Sequence, residues 1–300
     1  MNKVYISKET NPYFNIALEN YLFNNVNEDI ILYLWQNDKS VIIGRNQNLF
    51  AETNIDYLEE NNVYPVRRLS GGGAVYHDLG NLNFTLIMKE DKANDGKLIE
   101  FLKNVFSKLG IESEFSGRND LLYKGKKFSG HAYYIEDDNY MYHGTVMINV
   151  DLEELTRSLT PSNLKLKSKG IESVRSRVIN LSEIDSNIDI DKLVEAFLNT
   201  FDYKDLEYID KNDIILPLAE KLSSREWLFG ESPNYEIHLE RNCEIGNISI
   251  ALSIDGDNIS KASISTDSLK VFNFTDIEKQ LMDKKFDKEE IWEIIYNYIN

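Results

Sequence analysis

Apolar residues recur at helical spacing in several parts of the chain. Residues 98–109 place their apolar side chains on one helical face, and Gly110 after them is a common C-terminal stop. A helix is also expected to begin at Pro12, because the apolar residues that follow have the same spacing. Further helices are predicted at residues 191–201, 213–229, 276–282 and 288–299.

Other stretches are typical of β-strands. Residues 30–35, 41–43 and 83–88 are short, mostly apolar runs, as expected for buried strands. Residues 140–150 alternate apolar with small or polar side chains, which indicates a strand with one buried face. Strands at 245–254 and 259–264 flank Asp255-Gly256-Asp257, and together they predict a hairpin.

Strands and helices are therefore interspersed along the chain, which predicts an α+β protein. The segment GESPN at residues 230–234 interrupts the pattern and is the candidate linker. It would separate a large domain, residues 1–229, from a small α+β domain, residues 235–300. A unit of that size is viable by itself but only marginally stable.

Composition narrows the class of protein. The net charge of −17 argues against general attraction to nucleic acid or anionic membranes. No apolar run approaches the ~20 residues that span a bilayer, and the first residues lack the apolar core of a secretory signal. The single cysteine, Cys243, cannot form an intrachain disulfide. We therefore expect a soluble, cytoplasmic protein.

The most distinctive stretch runs from Arg67 to Asp78 and contains three consecutive glycines. Glycines let a ligand approach bare backbone, exposed N–H groups can bind an anion, and two arginines add charge. A flexible turn with two solvated arginines explains the same residues equally well. The stretch is neither a P-loop nor a G-x-G-x-x-G fingerprint, so a nucleotide would bind here by another architecture.

Two further clusters are rich in cations. Glycines near Lys124 predict a hairpin that presents Lys127, a residue able to offset charge where a carboxylate attacks a phosphate. Residues 163–178 lack a regular pattern, predict a loop and contain five cations within thirteen residues: Lys165, Lys167, Lys169, Arg175 and Arg177. This loop could bind phosphate or an acidic partner and become ordered with ligand. For both clusters, solvated surface lysines and arginines remain the alternative.

Other catalytic schemes find little support in the sequence. The four histidines, at positions 77, 131, 143 and 238, have no metal-ligand spacing, and neither Ser70 nor Ser129 lies in a G-x-S-x-G motif. Cys243 lies far in sequence from the clusters above and is interpreted as an ordinary buried side chain.

Taken together, these motifs resemble the lipoate–protein ligase family over nearly the whole chain. The similar segments follow in the family's order: RRLSGGGAVYHDLGN (67–81), GRNDLLY (117–123), KKFSGHAYY (126–134), YHGTVMINVDL (142–152), KSKGIESVRSRV (167–178), EWLFGESPNY (226–235) and STDSL (265–269). The last two resemble the small accessory domain of two-domain members. The resemblance implies the biotin/lipoate ligase fold, a mixed β-sheet with flanking helices.

The resemblance also implies a two-step reaction. Lipoate would react with ATP and Mg²⁺ to give lipoyl-adenylate and pyrophosphate, and a lysine of an acceptor protein would then take the lipoyl group. The expected acceptors are apo lipoyl domains of 2-oxoacid dehydrogenase E2 subunits and the glycine-cleavage H protein. We expect a monomer that binds neither nucleic acid nor membrane.

Site residues carry over by matching motifs, and Lys127 matches the family's essential catalytic lysine. The nucleotide is expected at Arg68, Gly73, Ala74, Val75, Tyr76, Asn119, Asp120 and Lys127, with Asp120 also near Mg²⁺ through the phosphates. Lipoate is expected at Arg68, Ser70, Gly71, Gly72, His77 and Lys127. The loop bearing Lys165, Lys167, Lys169, Arg175 and Arg177 is expected to close over the adenylate.

Two features of the sequence depart from the family's pattern. His131 stands where many members have a small residue, and the C-terminal domain is compact.

Three other functions are alternatives to an ATP-dependent ligase. An ATP-independent transferase that moves lipoyl or octanoyl groups between carrier proteins would need a cysteine acyl carrier, and no cysteine precedes residue 243. A non-catalytic binder of lipoyl domains or lipoate is the second alternative, and the presence of Arg68 and Lys127 argues against it. A variant that accepts preformed lipoyl-adenylate also stays open.

Overall fold

The computed structural model describes residues 2–27, 29–116, 119–159, 177–229, 237–255 and 258–299 of the chain. The strands within these ranges are β1 (Lys3–Ser7), β2 (Ile31–Trp35), β3 (Ser40–Ile43), β4 (Tyr64–Arg67), β5 (Val75–His77), β6 (Asn81–Lys89), β7 (Glu114–Phe115), β8 (Asp120–Tyr123), β9 (Lys126–Glu136), β10 (Asn139–Met147), β11 (Asp205–Ile209), β12 (Ile237–Cys243), β13 (Gly246–Asp255) and β14 (Asn258–Thr266). The α-helices are α1 (Pro12–Asn24), α2 (Leu49–Glu52), α3 (Ile55–Glu60), α4 (Asp95–Lys108), α5 (Leu152–Ser158), α6 (Ile190–Leu198), α7 (Pro217–Ser223), α8 (Arg225–Phe229), α9 (Thr275–Leu281) and α10 (Lys288–Ile299).

A mixed sheet forms the centre of the larger part of the chain. Its strands lie in the order β11-β1-β2-β6-β10-β9-β8-β7 among the described residues. Strand β1 is parallel to both of its neighbours, whereas the pairs from β2 to β7 are antiparallel. A second sheet, β4-β3-β5, combines one parallel and one antiparallel pair. The α+β class and the mixed sheet are confirmed.

Local sequence explains where the longer helices begin and end. Asn11 caps α1 by accepting hydrogen bonds from the N–H groups of Tyr13 and Phe14, and Pro12 occupies the first turn. Asn94 caps α4 in the same way, and the chain leaves this helix through Gly110, whose φ is +73°. Both helices lie where the apolar spacing predicts them.

The predicted helix over 213–229 is wrong as a single element. Its residues form α7 and α8, separated by Ser224, which has an extended backbone with a ψ of 144°. The Ser224 hydroxyl accepts from the Trp227 N–H, so this serine starts a new helix instead of continuing the old one. The spacing of apolar residues alone does not reveal a helix N-cap that lies within a continuous helical pattern.

The two faces of the main sheet differ in polarity: one is apolar, and the other carries buried polar side chains. One face of β6 carries Leu82, Phe84 and Leu86, which pack in an apolar core with α4 and α6. The opposite face of the same strand carries Asn83 and Thr85, which are also buried. The small and polar residues of this face leave room above the sheet.

The half-buried strand predicted at 140–150 is wrong in its burial. Strand β10 lies in the middle of the sheet and is buried along almost its whole length. Its polar residues, such as His143, face other buried polar groups and not solvent. An alternating pattern cannot distinguish a solvated face from a buried polar one.

The small C-terminal part has a core of its own. Strands β12, β13 and β14 form an antiparallel sheet, and the predicted hairpin is confirmed as β13–β14. Apolar residues of this sheet pack with α9 and α10 around Trp292. The linker expected at 230–234 lies outside the described residues, so the domain boundaries stay a prediction. Among the residues that the structure describes, no helix is long and apolar enough to cross a membrane.

Arg67 joins distant parts of the larger unit. It is 1% exposed, and its guanidinium donates to the carbonyl oxygens of Arg45 and Gln47, at 3.1 and 2.5 Å. It also donates to the carbonyls of Trp227 and Leu228 in α8, at 3.2 and 3.1 Å. Arg67 is therefore a structural residue and not the solvated arginine that a loose turn would leave.

We expect Arg67→Ala to lower the free energy of unfolding by about 3 kcal/mol, because buried carbonyls lose their donors. Urea unfolding at neutral pH measures the change. Arg157→Ala is the matched control, since Arg157 is 57% exposed on α5 and should alter stability by less than about 0.5 kcal/mol. Equal stability of the two variants would contradict this role for Arg67.

Candidate active site

The glycine-rich stretch connects β4 to β5 and is organised around the buried guanidinium of Arg68. Nη2 of Arg68 donates to the carbonyl oxygens of Gly71 and Gly73, at 2.6 and 2.9 Å. Nη1 donates to the Ile42 carbonyl at 3.1 Å, and Nε donates to the Ser70 hydroxyl at 3.1 Å. Arg68 therefore fixes the loop as a defined structure, which decides against a flexible turn with solvated arginines.

The small C-terminal part packs directly on this loop. The Gly72 N–H donates to the Ser268 carbonyl oxygen, and a Cβ at Gly71 would lie 2.4 Å from that same oxygen. Gly72 also has a φ of +95°, a conformation that favours glycine. The sequence predicts exposed N–H groups here, but the Gly72 N–H is already hydrogen-bonded to the segment that follows β14.

A chain of buried polar groups continues from the loop into the main sheet. The Ser70 hydroxyl lies 2.9 Å from Nε2 of His143, and Nδ1 of that histidine lies 2.9 Å from Oε1 of Glu19 on α1. The Thr85 hydroxyl donates to the same carboxylate oxygen at 2.6 Å. These hydrogen bonds connect the glycine-rich loop, helix α1 and the central strands β6 and β10. A shift in one of these elements would therefore disturb the others.

Lys127 lies on β9 beside the turn of the predicted hairpin, which the structure confirms as β8–β9. Its Nζ is 2.8 Å from Oδ1 of Asp120. The lysine side chain extends over Gly130, so closely that a Cβ at that position would lie only 2.6 Å from Nζ. The lysine and the aspartate are about one third exposed, so a ligand can reach both.

The exit of the cation-rich loop is attached to the same lysine. The Lys127 N–H donates to the Arg177 carbonyl at 2.7 Å, and the Ile179 N–H donates to the Lys127 carbonyl at 2.9 Å. Lys165, Lys167, Lys169 and Arg175 lie outside the described residues. The described end of the loop therefore begins directly beside the candidate catalytic lysine.

A cavity of about 220 Å³ joins these groups. It runs across five strands of the main sheet along one register row, that is, a line of residues directly opposite one another on neighbouring strands. From one end to the other, this row consists of Trp35, Asn83, Thr145, Gly130 and Asp120. Lys127 and Asp120 lie at one end, and the buried Trp35 lies at the other. The cavity is thus a slot with a charged, accessible mouth and an enclosed far end.

Most of the residues predicted from the sequence meet at this slot. Its lining includes Arg68, Gly72, Gly73, Ala74, Val75, His77, Asn119, Asp120 and Lys127. The Tyr76 side chain is an exception, because it lies on the opposite face of β5 and packs in a separate apolar cluster. Any contact of Tyr76 with a nucleotide would therefore use its backbone. Ser70 and Gly71 lie behind the lining residues, where Arg68 bonds to both.

The residues that form the enclosed end of the slot are not among those predicted from the sequence. Glu19, Trp35, Asn83 and His143 all line it. The only signal available was a polar residue within an otherwise apolar pattern, as for Glu19 in α1, and that signal is weak without the partner. Asp267 of the small part also lines the mouth.

Two histidines in the wall of the slot are held neutral. Burial lowers the pKa of His77 to about 3, and the nearby charge of Arg68 adds to the effect. Burial likewise lowers the pKa of His131 to about 3, with Lys127 as the next cause. His131 lies between the Ser129 hydroxyl, 2.9 Å from Nε2, and the Tyr142 hydroxyl, 2.8 Å from Nδ1. The unusual His131 is thus a neutral, hydrogen-bonded part of the wall.

The residues at the mouth fit a magnesium nucleotide. Asp120 supplies a hard carboxylate oxygen beside Lys127, and Asn119 is fixed next to it by hydrogen bonds to the backbone of His131. No cluster of three metal-ligating side chains occurs among the described residues. Magnesium is commonly held by one or two carboxylates together with substrate phosphates, which this arrangement allows.

Comparisons with known proteins agree with this geometry. The family model for the lipoyl protein ligase A/B catalytic domain matches residues 11–202, and the model for the bacterial lipoate protein ligase C-terminus matches residues 232–299. A lipoate-protein ligase A of Psychrobacter cryohalolentis is 37% identical over 301 residues, which cover 95% of this chain and 89% of the relative.

Solved structures give the same result. P. falciparum LipL1 in complex with lipoate superposes with a TM-score of 0.79 and 31% identity, covering 98% of this chain and 94% of that one. A lipoate-protein ligase A bound with ATP gives 0.64 and 25%, covering 76% and 98%. A bipartite ligase from Thermoplasma acidophilum, studied with its E2 lipoyl domain, gives 0.66 and 25%, covering 79% and 98%.

The mixed sheet, the slot and the small C-terminal sheet thus define the fold of the lipoate ligases, a class of enzymes. The chain belongs to the lipoate–protein ligase family.

The neutral histidines predict a loss of stability in mild acid. A histidine in the unfolded chain binds a proton below about pH 6.5, whereas His77 and His131 in the folded protein do so only near pH 3. The unfolded state then binds more protons, so the free energy of unfolding falls as the pH drops below 6.5. Each histidine should contribute a loss of about 2 kcal/mol at pH 5 relative to pH 8.

Urea unfolding at pH 8 and pH 5 measures this loss in the wild type and in His131→Gln. The variant should lose about 2 kcal/mol less than the wild type over the same interval. Asn242→Gln, at an exposed position of β12, changes no titratable group; it is the control and should lose as much as the wild type. An unchanged loss in His131→Gln would mean that His131 is not held neutral.

Proposed function

We propose that this protein is an ATP-dependent lipoate–protein ligase. The observation that carries the proposal is the Lys127–Asp120 ion pair at the mouth of a slot whose far end is buried. An acyl chain needs an enclosed site with a polar end for its carboxylate, and the slot has this form. The sequence motifs and the ligase relatives support the same assignment.

In the first step an oxygen of the lipoate carboxylate attacks the α-phosphorus of ATP, and pyrophosphate leaves. The two reactants are both anions, so a cation must offset the charge that accumulates between them. The Lys127 ammonium can do so if it moves from Asp120 to the reacting oxygens. Asp120, freed from the lysine, and the neighbouring Asn119 would then face the phosphates and Mg²⁺, which supplies further positive charge there.

The glycine-rich loop would position both substrates. Its Gly73-Ala74-Val75 portion lines the slot and would contact the nucleotide, while Gly72 and His77 would contact lipoate. Arg68 holds the loop in this form through its carbonyl contacts. Preorganisation of this kind reduces the entropy lost when two reactants are brought together.

In the second step a neutral lysine amine of the acceptor attacks the carbonyl carbon of lipoyl-adenylate, AMP leaves with the electron pair of the broken bond, and the nitrogen releases one proton to solvent as the amide forms. The amine must enter at the Lys127 end, since the opposite end is closed by buried side chains such as Trp35. We propose apo lipoyl domains of E2 subunits or the glycine-cleavage H protein as acceptors. A related ligase studied with its E2 lipoyl domain supports the first of these.

We propose roles for the cation-rich loop and for the two parts of the chain. The loop of Lys165, Lys167, Lys169, Arg175 and Arg177 would close over the adenylate and exclude water, which would otherwise hydrolyse it. We propose residues 1–229 as the catalytic domain and 235–300 as the accessory domain, joined near 230–234. The acidic composition and single cysteine support a cytoplasmic monomer.

An ATP-independent transferase is disfavoured by its need for an acyl-carrying cysteine. Cys243 belongs to β12 of the small sheet, where its Sγ donates to the Gly246 carbonyl at 3.2 Å. The described slot has no cysteine in its lining. A cysteine acyl carrier would have to lie at the mouth, within reach of both carrier proteins.

We expect Lys127→Ala to lower pyrophosphate release with lipoate and ATP by at least about 100-fold, because the charge that stabilises the transition state is lost. Intact mass of an apo H protein or E2 domain measures the full reaction. Lys126→Ala is the matched control, since Lys126 is exposed on the same strand and does not line the slot.

Two outcomes would contradict the proposal in different ways. Near-normal pyrophosphate release by Lys127→Ala would show that Lys127 is not needed for the first step. A lipoyl mass gain on the acceptor that needs a lipoylated donor protein but no ATP would identify a transferase instead of a ligase.

A further inference from the structure

Two buried hydrogen-bond donors lie at the closed end of the slot without an acceptor. Asn83 is 2% exposed and His77 is 3% exposed, and both line the cavity. Nδ2 of Asn83 and Nε2 of His77 are buried atoms that meet no hydrogen-bond partner among the described residues. Most buried polar atoms in proteins are bonded, so two such groups beside one cavity point to a ligand.

Neighbouring side chains fix the orientation of both donors. Nδ2 of Asn81 donates to Oδ1 of Asn83 at 3.0 Å, which leaves the Asn83 amide nitrogen as the unbonded group. Nδ2 of Asn37 lies 3.1 Å from Nδ1 of His77. An amide nitrogen can only donate, so Nδ1 is the acceptor, and the neutral ring carries its hydrogen on Nε2. Each side chain therefore presents N–H, and not a lone pair, at its unbonded atom.

The sheet places these donors far from the reacting end. Asn83 on β6 is three strands away from Asp120 on β8 in the same register row, a separation of about 14 Å. His77 lies at the same end, since its ring meets Trp35 edge-on with centroids 6.2 Å apart, and Trp35 pairs with Asn83. When the carboxylate of lipoate lies at Lys127, its dithiolane ring, at the other end of the acyl chain, points toward these donors.

We propose that Asn83 and His77 donate hydrogen bonds to the dithiolane sulfur atoms and so select lipoate over an acid of the same shape without sulfur. The inference rests on the proposed function, because it takes lipoate as the substrate. Sulfur is a weak acceptor, so the gain per bond is small. A sulfur-free ligand, however, leaves both donors buried and unbonded, and a site with such donors rejects the analogue that lacks the acceptor.

The sharpest test compares lipoate with 5-cyclopentylpentanoate, in which methylene groups replace the sulfur atoms of the five-membered ring. Isothermal titration calorimetry gives the Kd of each acid for the wild-type protein. We expect the cyclopentyl acid to bind about 5-fold more weakly. Asn83→Leu and His77→Phe keep a similar branched or ring shape but remove the donor, and each should bring the ratio of the two Kd values closer to one.

Asn139→Leu is the control for the loss of any buried amide. Asn139 is 6% exposed on β10, both ends of its amide are hydrogen-bonded, and it does not line the slot. This variant should lose stability but keep the wild-type ratio of Kd values. A second measurement follows the His77 Nε2 resonance by ¹⁵N NMR, which should shift with lipoate and much less with the cyclopentyl acid.

The outcomes separate this inference from the proposed function. Equal binding of the two acids by the wild type, or an unchanged ratio in both donor variants, would overturn the role of the donors while ATP-dependent pyrophosphate release persists with lipoate. Absence of both lipoate binding and pyrophosphate release would overturn the proposed function, and this inference with it.

Discussion

The Arg68 guanidinium is buried beneath the glycine-rich loop, and the arrangement of the whole site depends on how its charge is accommodated. Burying an unpaired cation is costly, and here burial lowers the pKa of Arg68 to about 10 while the Glu19 carboxylate opposes that shift. Three backbone carbonyls and the Ser70 hydroxyl accept its hydrogen bonds. The loop that would bind substrate is therefore shaped by the solvation needs of one side chain.

That buried charge in turn explains the polar face of the main sheet. The Glu19 carboxylate, whose charge favours the charged form of Arg68, is itself buried and needs donors of its own, which Thr85 and His143 supply. A network of this kind is stable only when its members are satisfied, and removing one exposes the others to the cost of an unbonded buried group. Asn83 and His77 are exceptions in the same layer. An incomplete network beside a cavity is a place where a ligand can complete it.

The mouth of the slot is arranged differently from its interior. Lys127 and Asp120 are partly solvated and bonded to each other, so their interaction can be exchanged for contacts with substrate at little cost. The small C-terminal part bonds to Gly72 and places Asp267 at the same mouth. The hydrogen-bonded network therefore lies inside, and the replaceable contacts lie at the mouth, where we propose that the nucleotide and the acceptor enter.

Features that depend on neighbours along the chain can be predicted from the sequence. Caps and spacing located α1 and α4, turn residues located the β8–β9 and β13–β14 hairpins, and the motifs located the glycine-rich loop and Lys127. Contacts between distant residues, such as Glu19 and His143, 124 positions apart, follow from the tertiary structure. It also turned the Tyr76 side chain away from the slot and buried β10 on both faces. Strand order and the packing of the layers set these contacts, and a local sequence pattern contains neither.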